Sequence, residues 1–548
     1  MKNKKTTRRQ FIQTAGKTFA TTALLDGPIS MVLDAITRGA ISSAVAEAAG
    51  VNPRKWVDMR LNGAPPRWVY DLILSTSAAD EAKFVASPMG QVATKYVATG
   101  NRYTNCVYST VALQGIRAPI IWSFRAPTAT GATRPMTDLL KHLLNIRGIH
   151  TTNPGHGGSE GFHFRAQGAV KSLPALSADA SSAPIAAAYN GGFSYVFNST
   201  VGNSPILMSG NYANSLLAPF IPSTGTATIK QKEALMKVAI DRARTALMSR
   251  EIASHPDAQR IQLSVTSARN MMSRAVNGMS EQYATLLAKY QTIVTAALKT
   301  TLPGINDKPI GTLPATARGL TYRISATRTV AADDLRALVN ANRATLPTNA
   351  PSLAPAFAIA EFILVNGFSD SITLALGPLS NVLDGTAASG YGFDEHFVGA
   401  MNTLLINTMY SFAHGACMLE LIDRLKAAGI WNNTVINVGS EFNRIPLSTG
   451  AGSDHGYQGS SWQIYSGCVA SPMILGNIAA DPVPTTYKGT WGHTATQPEL
   501  NGKIEMGNAM NTVASLLRVP LPVPARQALV DGSGSTAVAT IPQGKIIA

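Results

Sequence analysis

Short apolar runs recur along the chain at residues 68–74, 119–124, 144–149, 372–376, 434–438 and 472–475, and each gives way to polar, glycine-containing sequence. Their length and flanking turn residues predict buried β-strands. Between them lie helical patterns. The clearest covers 402–428, where Met409, Phe412, Ala416, Leu419, Ile422 and Leu425 fall near a 3.6-residue spacing and Gly429 supplies a stop. Strand, helix, strand in this rhythm predicts an α/β fold with a largely parallel sheet covered by helices. Ligands in such sheets bind beyond the carboxyl ends of the strands, so the loops after these runs are where chemistry is expected.

The middle of the chain reads differently. Residues 229–301 form a pattern of two or three amphipathic helices, with a break at Pro256 and no strand runs. Proline-rich connectors follow at 303–314 and 346–355, so the α/β domain of residues 49–548 is expected to carry a helical insertion at about 229–345. The tail from Asp531 onward is rich in Gly, Ser and Thr and reads as loosely held.

The amino terminus changes the picture. Thr7-Arg8-Arg9-Gln10-Phe11-Ile12 follows Lys2, Lys4 and Lys5 and precedes an apolar stretch too short to span a bilayer. This is the pattern of a twin-arginine signal peptide, expected to cover residues 1–48, with small residues at Ala44, Ala46 and Ala48 for cleavage. The expected partner is the twin-arginine translocase, the expected location periplasmic or secreted, and no transmembrane segment is expected in the mature chain. Formal net charge is +15, and residues 1–48 carry seven Lys/Arg against three Asp/Glu, which leaves about +11 on the remainder. That excess favours anionic small molecules or envelope polymers as substrates. The Lys and Arg are scattered and lack an aromatic-interleaved basic stripe, which argues against nucleic acid. Three cysteines, Cys106, Cys417 and Cys468, permit one disulfide in an oxidising compartment, in any of three pairings. Cys417, on the apolar face of the 402–428 helix, reads as a plain buried thiol.

Three clusters stand at or beyond predicted strand ends: Phe393-Asp394-Glu395-His396, Ser440-Glu441-Phe442-Asn443-Arg444 and Gly452-Ser453-Asp454-His455-Gly456. Asp394, His396, Glu441, Asp454 and His455 together mix carboxylate and imidazole donors, a set suited to a divalent ion such as zinc or manganese. Taken singly, an Asp or His beside Gly also just completes a turn. Thr151, Thr152 and Ser159 follow the 144–149 run and are candidate nucleophiles. Of these, Ser159 sits in the most flexible loop, Gly155-His156-Gly157-Gly158-Ser159. His156 and His163 are candidates for a ligand or general acid, or are ordinary loop and packing histidines. His493 is a spare donor. Arg444 can bind a tetrahedral oxyanion bidentately, or pair with Glu441 or Asp454 to hold the loop.

These residues carry a resemblance. The helix–strand–loop of 421–444 and the runs Glu441-Phe442-Asn443-Arg444-Ile445-Pro446, Gly452-Ser453-Asp454-His455 and Phe393-Asp394-Glu395-His396 resemble the exported family known as domain of unknown function 1501. Arg147-Gly148-Ile149 and His163-Phe164-Arg165-Ala166-Gln167 look like the same family's upstream stretch. That family is itself similar to the alkaline phosphatase and sulfatase superfamily. The resemblance implies an alkaline phosphatase-like sheet. It also implies one ion on Asp394, His396 and His455 and a second on Glu441 and Asp454. The family's first strand ends in a Gly-Gly loop with an acidic ligand, whereas Leu61-Asn62-Gly63-Ala64-Pro65-Pro66 has no acid before Asp71.

Two functional classes follow as expectations: an exported metal-dependent hydrolase of phosphate or sulfate esters, or a non-catalytic cell-envelope binding or assembly protein on the same fold. The export reading is tested directly. Replacing Arg8 and Arg9 together by Lys is expected to leave full-length precursor in the cytoplasm, seen by fractionation and immunoblotting. Mature protein outside the cytoplasm at wild-type level would remove the twin-arginine assignment.

Overall fold

The computed structural model describes residues 54–61, 64–65, 95–97, 102–104, 110–113, 116–151, 194–197, 206–209, 212–213, 279–300, 321–323, 329–331, 353–366, 371–376, 400–440, 442–446, 453–456, 459–479, 493–497, 500, 502–518, 521, 523–538 and 543–545. Its centre is a ten-stranded sheet. The strands, in chain order, are β1 (Lys55–Leu61), β2 (Leu143–Ile149), β3 (Ser194–Phe197), β4 (Ile206–Ser209), β5 (Tyr212–Ala213), β6 (Ser371–Leu376) and β7 (Thr434–Gly439). A separate hairpin of β8 (Asn443–Pro446) and β9 (Ser453–Gly456) comes next. The sheet then resumes with β10 (Ser460–Ser466), β11 (Met473–Leu475) and β12 (Gln543–Lys545). Four helices are placed by the argument below: α1 (Met279–Lys299), α2 (Leu353–Asn366), α3 (Ala400–Ala427) and α4 (Met506–Leu517).

The sheet order is β5-β3-β4-β6-β1-β7-β10-β2-β11-β12. The fold is therefore mixed α/β, as the rhythm of runs predicts, but the sheet is less parallel than expected. Of its nine neighbour pairings, four are parallel and five antiparallel. Every residue of β7, β10 and β2 is buried, so no alternation of buried and exposed positions marks which way they run. The runs at 144–149, 372–376, 434–438 and 472–475 are strands as expected. The run at 119–124 is not: a strand ends at Pro119 and residues Ile120–Ser123 form a 3₁₀ turn. Ser123 Oγ donates to Ile120 O at 2.7 Å, and the turn buries Ile121 and Trp122 together. A short apolar run satisfies either geometry, and here burial of two large side chains on one side selects the turn. The run at 68–74 lies outside the described residues.

One face of the sheet carries Trp56, Val435, Trp462, Ile464, Leu144 and Ile146 into a core closed by α4 through Met506, Ala509, Met510 and Val513. Asn508 Oδ1 caps that helix by accepting from the Glu505 backbone N–H at 2.9 Å. On the other face, Leu61, Val438 and Tyr465 meet α3 at Tyr410 and His414. The α3 helix ends as predicted: Gly429 takes φ +72°, Ile430 N–H bonds Leu425 O at 3.0 Å and Gly429 N–H bonds Lys426 O at 2.9 Å. This is the two-bond Schellman closure, which requires a left-handed residue at Gly429. Cys417 on α3 and Cys468 after β10 are both buried and free, so the Cys417–Cys468 pairing does not form; Cys106 lies outside the described residues. Burial pushes the Cys417 thiol well above its ordinary pKa, consistent with an inert packing role.

The α3 helix also belongs to a layer with α1 and α2, joined at one buried carboxylate. Glu361 on α2 accepts from Lys289 Nζ at 2.5 Å and Tyr290 OH at 2.7 Å on α1, and from Arg424 Nε at 3.3 Å on α3. Lys289 also bridges to Glu420 on α3 at 3.1 Å. The α1 helix comes from the stretch read as an insertion, and it packs directly on helices of the α/β domain.

These partners differ in exposure, which sets the expected energetics. The Glu361 side chain is 3 % exposed and that of Arg424 is 53 % exposed. Glu361→Ala leaves the buried Tyr290 phenol without its acceptor and the partly buried Lys289 with Glu420 alone, and is expected to cost about 2 kcal/mol. Arg424→Ala removes a solvated partner and is expected to cost less than about 1 kcal/mol. Denaturant unfolding checks both; equal effects would mean Glu361 does not organise the layer.

Candidate functional site

Strand direction brings to one edge the strand ends that the predicted site residues follow in sequence. The strands β6, β1 and β7 are mutually parallel, and two antiparallel steps through β10 bring β2 back to the same direction, with β11 parallel to it. The carboxyl ends of β6, β1, β7, β2 and β11 therefore lie on one edge. Glu441, Arg444, Asp454 and His455 follow β7; His156 and Ser159 follow β2; Asp394 and His396 follow β6. Of these eight, Arg444 and His455 have described side chains, and Asp454 is placed in the backbone of β9. Ser159, His156, Asp394, His396 and Glu441 lie outside the described residues.

The chain leaves β7 through a corner in which Ser440 Oγ donates to Phe442 O at 2.8 Å. The hairpin β8–β9 follows, with Arg444 opposite His455 and Ile445 opposite Asp454. Phe442 and Arg444 are two residues apart, so both face the same side as His455. The His455 ring lies 4.4 Å from the Phe442 centroid at 36°, and the Arg444 guanidinium carbon lies 5.6 Å from the same ring. The aromatic ring thus orients an imidazole and a guanidinium together, the latter with cation–π attraction. Phe442 and Arg444 are fully buried and His455 is half-buried.

Arg444 has a second contact, which sets its role. Its Nε donates to Ala64 O at 3.3 Å, across 380 positions of sequence. Ala64 closes the turn after β1: its N–H bonds Leu61 O at 3.2 Å and its φ is +58°, an uncommon conformation for a residue with a Cβ. The guanidinium therefore fastens the hairpin after β7 to the turn after β1. Of the two roles open to Arg444, this contact supplies a loop-holding one, with a main-chain carbonyl as an acceptor.

Two further arginines reach this edge. Arg60, next to the last residue of β1, is 1 % exposed and stands opposite Gly439 in register. Arg147 in β2 is fully buried and donates from Nη1 to Asn477 Oδ1 at 3.0 Å. A close backbone crossing makes that contact. Gly148 and Gly476 both take positive φ, and a Cβ on Gly148 would sit 1.8 Å from Asn477 O. Arg60 was not among the sequence candidates, and Arg147 entered only within a resemblance. The available signal was a charge inside an otherwise apolar strand run. Of the three hydroxyl candidates after β2, Thr151 alone has a described side chain; it is fully buried and its Oγ1 has no hydrogen-bond partner. The backbone of His493 lies in a short strand paired with Ile478–Ala479. Among the described residues, no three His, Cys, Asp or Glu side chains form a group able to hold a metal ion.

No protein-family model, curated protein or solved structure matches the chain. The resemblance given above thus rests on its quoted residues alone.

Two histidines, His414 on α3 and His142 beside its carboxyl end, are held neutral. Burial lowers the His414 pKa to about 4. His142 is also lowered to about 4, first by burial and then by Lys426, whose Nζ donates to His142 Nε2 at 2.9 Å. In the unfolded chain both would titrate near 6.5. Between pH 6.5 and 4 the unfolded chain therefore binds more protons than the folded one, so stability falls as pH drops through this window. Urea midpoints at pH 7, 5.5 and 4.5 are expected to decline, and His414→Phe is expected to flatten part of the decline. An unchanged slope in that variant would show that His414 does not titrate as a buried neutral ring.

Proposed function

We propose that the chain is an exported metal-dependent hydrolase of phosphate or sulfate esters, carried out by the twin-arginine translocase and working at the carboxyl edge of the sheet. The observation that carries this reading is the Arg444–His455 pair on a hairpin that leaves β7 at that edge and is tied to the turn after β1. Sites in open α/β sheets form there because loops from neighbouring strands converge while the strands hold them rigid. The net positive charge of the chain suits an anionic ester.

Of the proposed ligands, His455 has a described side chain, and it suits the role: a half-buried imidazole braced against Phe442. A divalent ion, zinc or manganese by donor chemistry, would be held by Asp394, His396 and His455, with Glu441 and Asp454 on a second, and would polarise the ester oxygen as a Lewis acid. The chain's own groups prepare the place for it. Phe442 fixes the plane of the His455 ring, and Arg444 holds the hairpin against the β1 turn so that His455 keeps its position. Ser159 and His156 are the proposed nucleophile and general acid, and Arg444 acts chiefly as a positioning residue.

The full burial of Arg444 favours the rival reading, a non-catalytic envelope binding or assembly protein, because a buried guanidinium bonded to Ala64 O is a structural tether. Purified wild type is expected to carry bound metal and to turn over activated aryl phosphates or sulfates, with His396→Ala losing both metal and turnover. Metal-free wild type, inert across both ester panels with added zinc, manganese and calcium, would overturn the hydrolase reading and leave the binding protein.

A further inference from the structure

A small cavity of about 30 Å³ lies on the α3 side of the sheet, between the carboxyl ends of β1 and β7, the 120–123 turn and α3. Most of its wall is apolar, with Leu61, Ile121, Met136 and Val438 among the lining residues. Several polar residues break that wall, Tyr410, Ser411 and Gln463 among them, and two nitrogens stand out. Trp122 Nε1 and His414 Nε2 are both buried and have no hydrogen-bond partner among the described residues, and their residues are 3 % and 9 % exposed. Buried polar atoms in folded proteins are nearly always bonded, so two on one small cavity point to a ligand shared between them.

Size and chemistry narrow that ligand. A volume of about 30 Å³ admits one or two waters and is far below the roughly 300 Å³ of an ordinary small-molecule site. An indole N–H only donates, so the ligand must accept there. Among the described residues the lining has no Asp, Glu, Lys or Arg, and burial keeps His414 uncharged near neutral pH, which disfavours an ion.

We propose that this cavity is a binding site for a single structural water that accepts from Trp122 Nε1–H and is hydrogen-bonded to His414 Nε2. The water joins the 120–123 turn to α3 under Leu61 and Pro65, beside the turn to which Arg444 is fastened. It does not depend on the reaction proposed above.

A crystal structure of the mature wild-type protein, at a resolution that shows ordered waters, is expected to place one within hydrogen-bond distance of both nitrogens. In solution, the Trp122 indole proton is expected to give a cross-peak to long-lived water that Trp122→Phe removes. Xenon under pressure is expected to stay out of the wild-type cavity. A site that is dry and takes up xenon would overturn the proposal, as would side chains bonded to both nitrogens. The wild-type structure decides the matter even if Trp122→Phe fails to fold.

Discussion

The structure depends on how its central strands satisfy polar side chains that have no access to water. The strands β1, β7, β10 and β2 are buried on both faces, yet they carry Asp58, Asn437, Asn145, Gln463 and Arg147 in their interiors. A buried polar group without a partner is destabilising, and Asn437, Asp58 and Asn145 meet theirs sideways, strand to strand. Asn437 Nδ2 donates to Asp58 Oδ1 at 2.9 Å, and Ser461 Oγ donates to Asn145 Oδ1 at 2.9 Å. Each bond is possible only in the observed register, because a slip of one residue sends every side chain to the opposite face. Register in turn puts Gly439 beside Arg60 and brings the ends of β1 and β7 level. The position of the hairpin at the carboxyl edge follows from that alignment.

The helix layer obeys the same rule with ions in place of amides. Glu361 is shielded from water, so it must be met by donors, and its three donors come from two different helices. An apolar residue there would leave the crossing of α1, α2 and α3 to shape alone. A carboxylate with directed donors specifies one arrangement.

Much of this order was legible in the sequence because it is local. The α3 helix is announced by spacing from Met409 to Leu425 and by Gly429, and the strand 434–439 by a short, largely apolar run that ends in Gly439. Chain order alone put the Asp394, Glu441 and Asp454 clusters after strand ends, and strand direction then brings those ends to one edge. What was not legible is non-local. The residues of 119–124 are equally content as strand or turn, and only the burial of Ile121 and Trp122 decides. Arg60 and Arg147 read as interruptions of strands rather than as parts of the edge, because their surroundings come from distant segments. The acceptor that ties Arg444 to the β1 turn is a main-chain carbonyl, which leaves no mark on the sequence.

That last point bears on how this edge tolerates change. Because the bond from Arg444 to Ala64 ends on a main-chain oxygen, it does not depend directly on the side chain at that position. The side chain there is limited instead by full burial and by the left-handed backbone step. Length is another matter. One inserted or deleted residue would carry the carbonyl away from the guanidinium and release the hairpin. The tether thus reads the length and backbone shape of the turn and leaves its side chains to be fixed by packing.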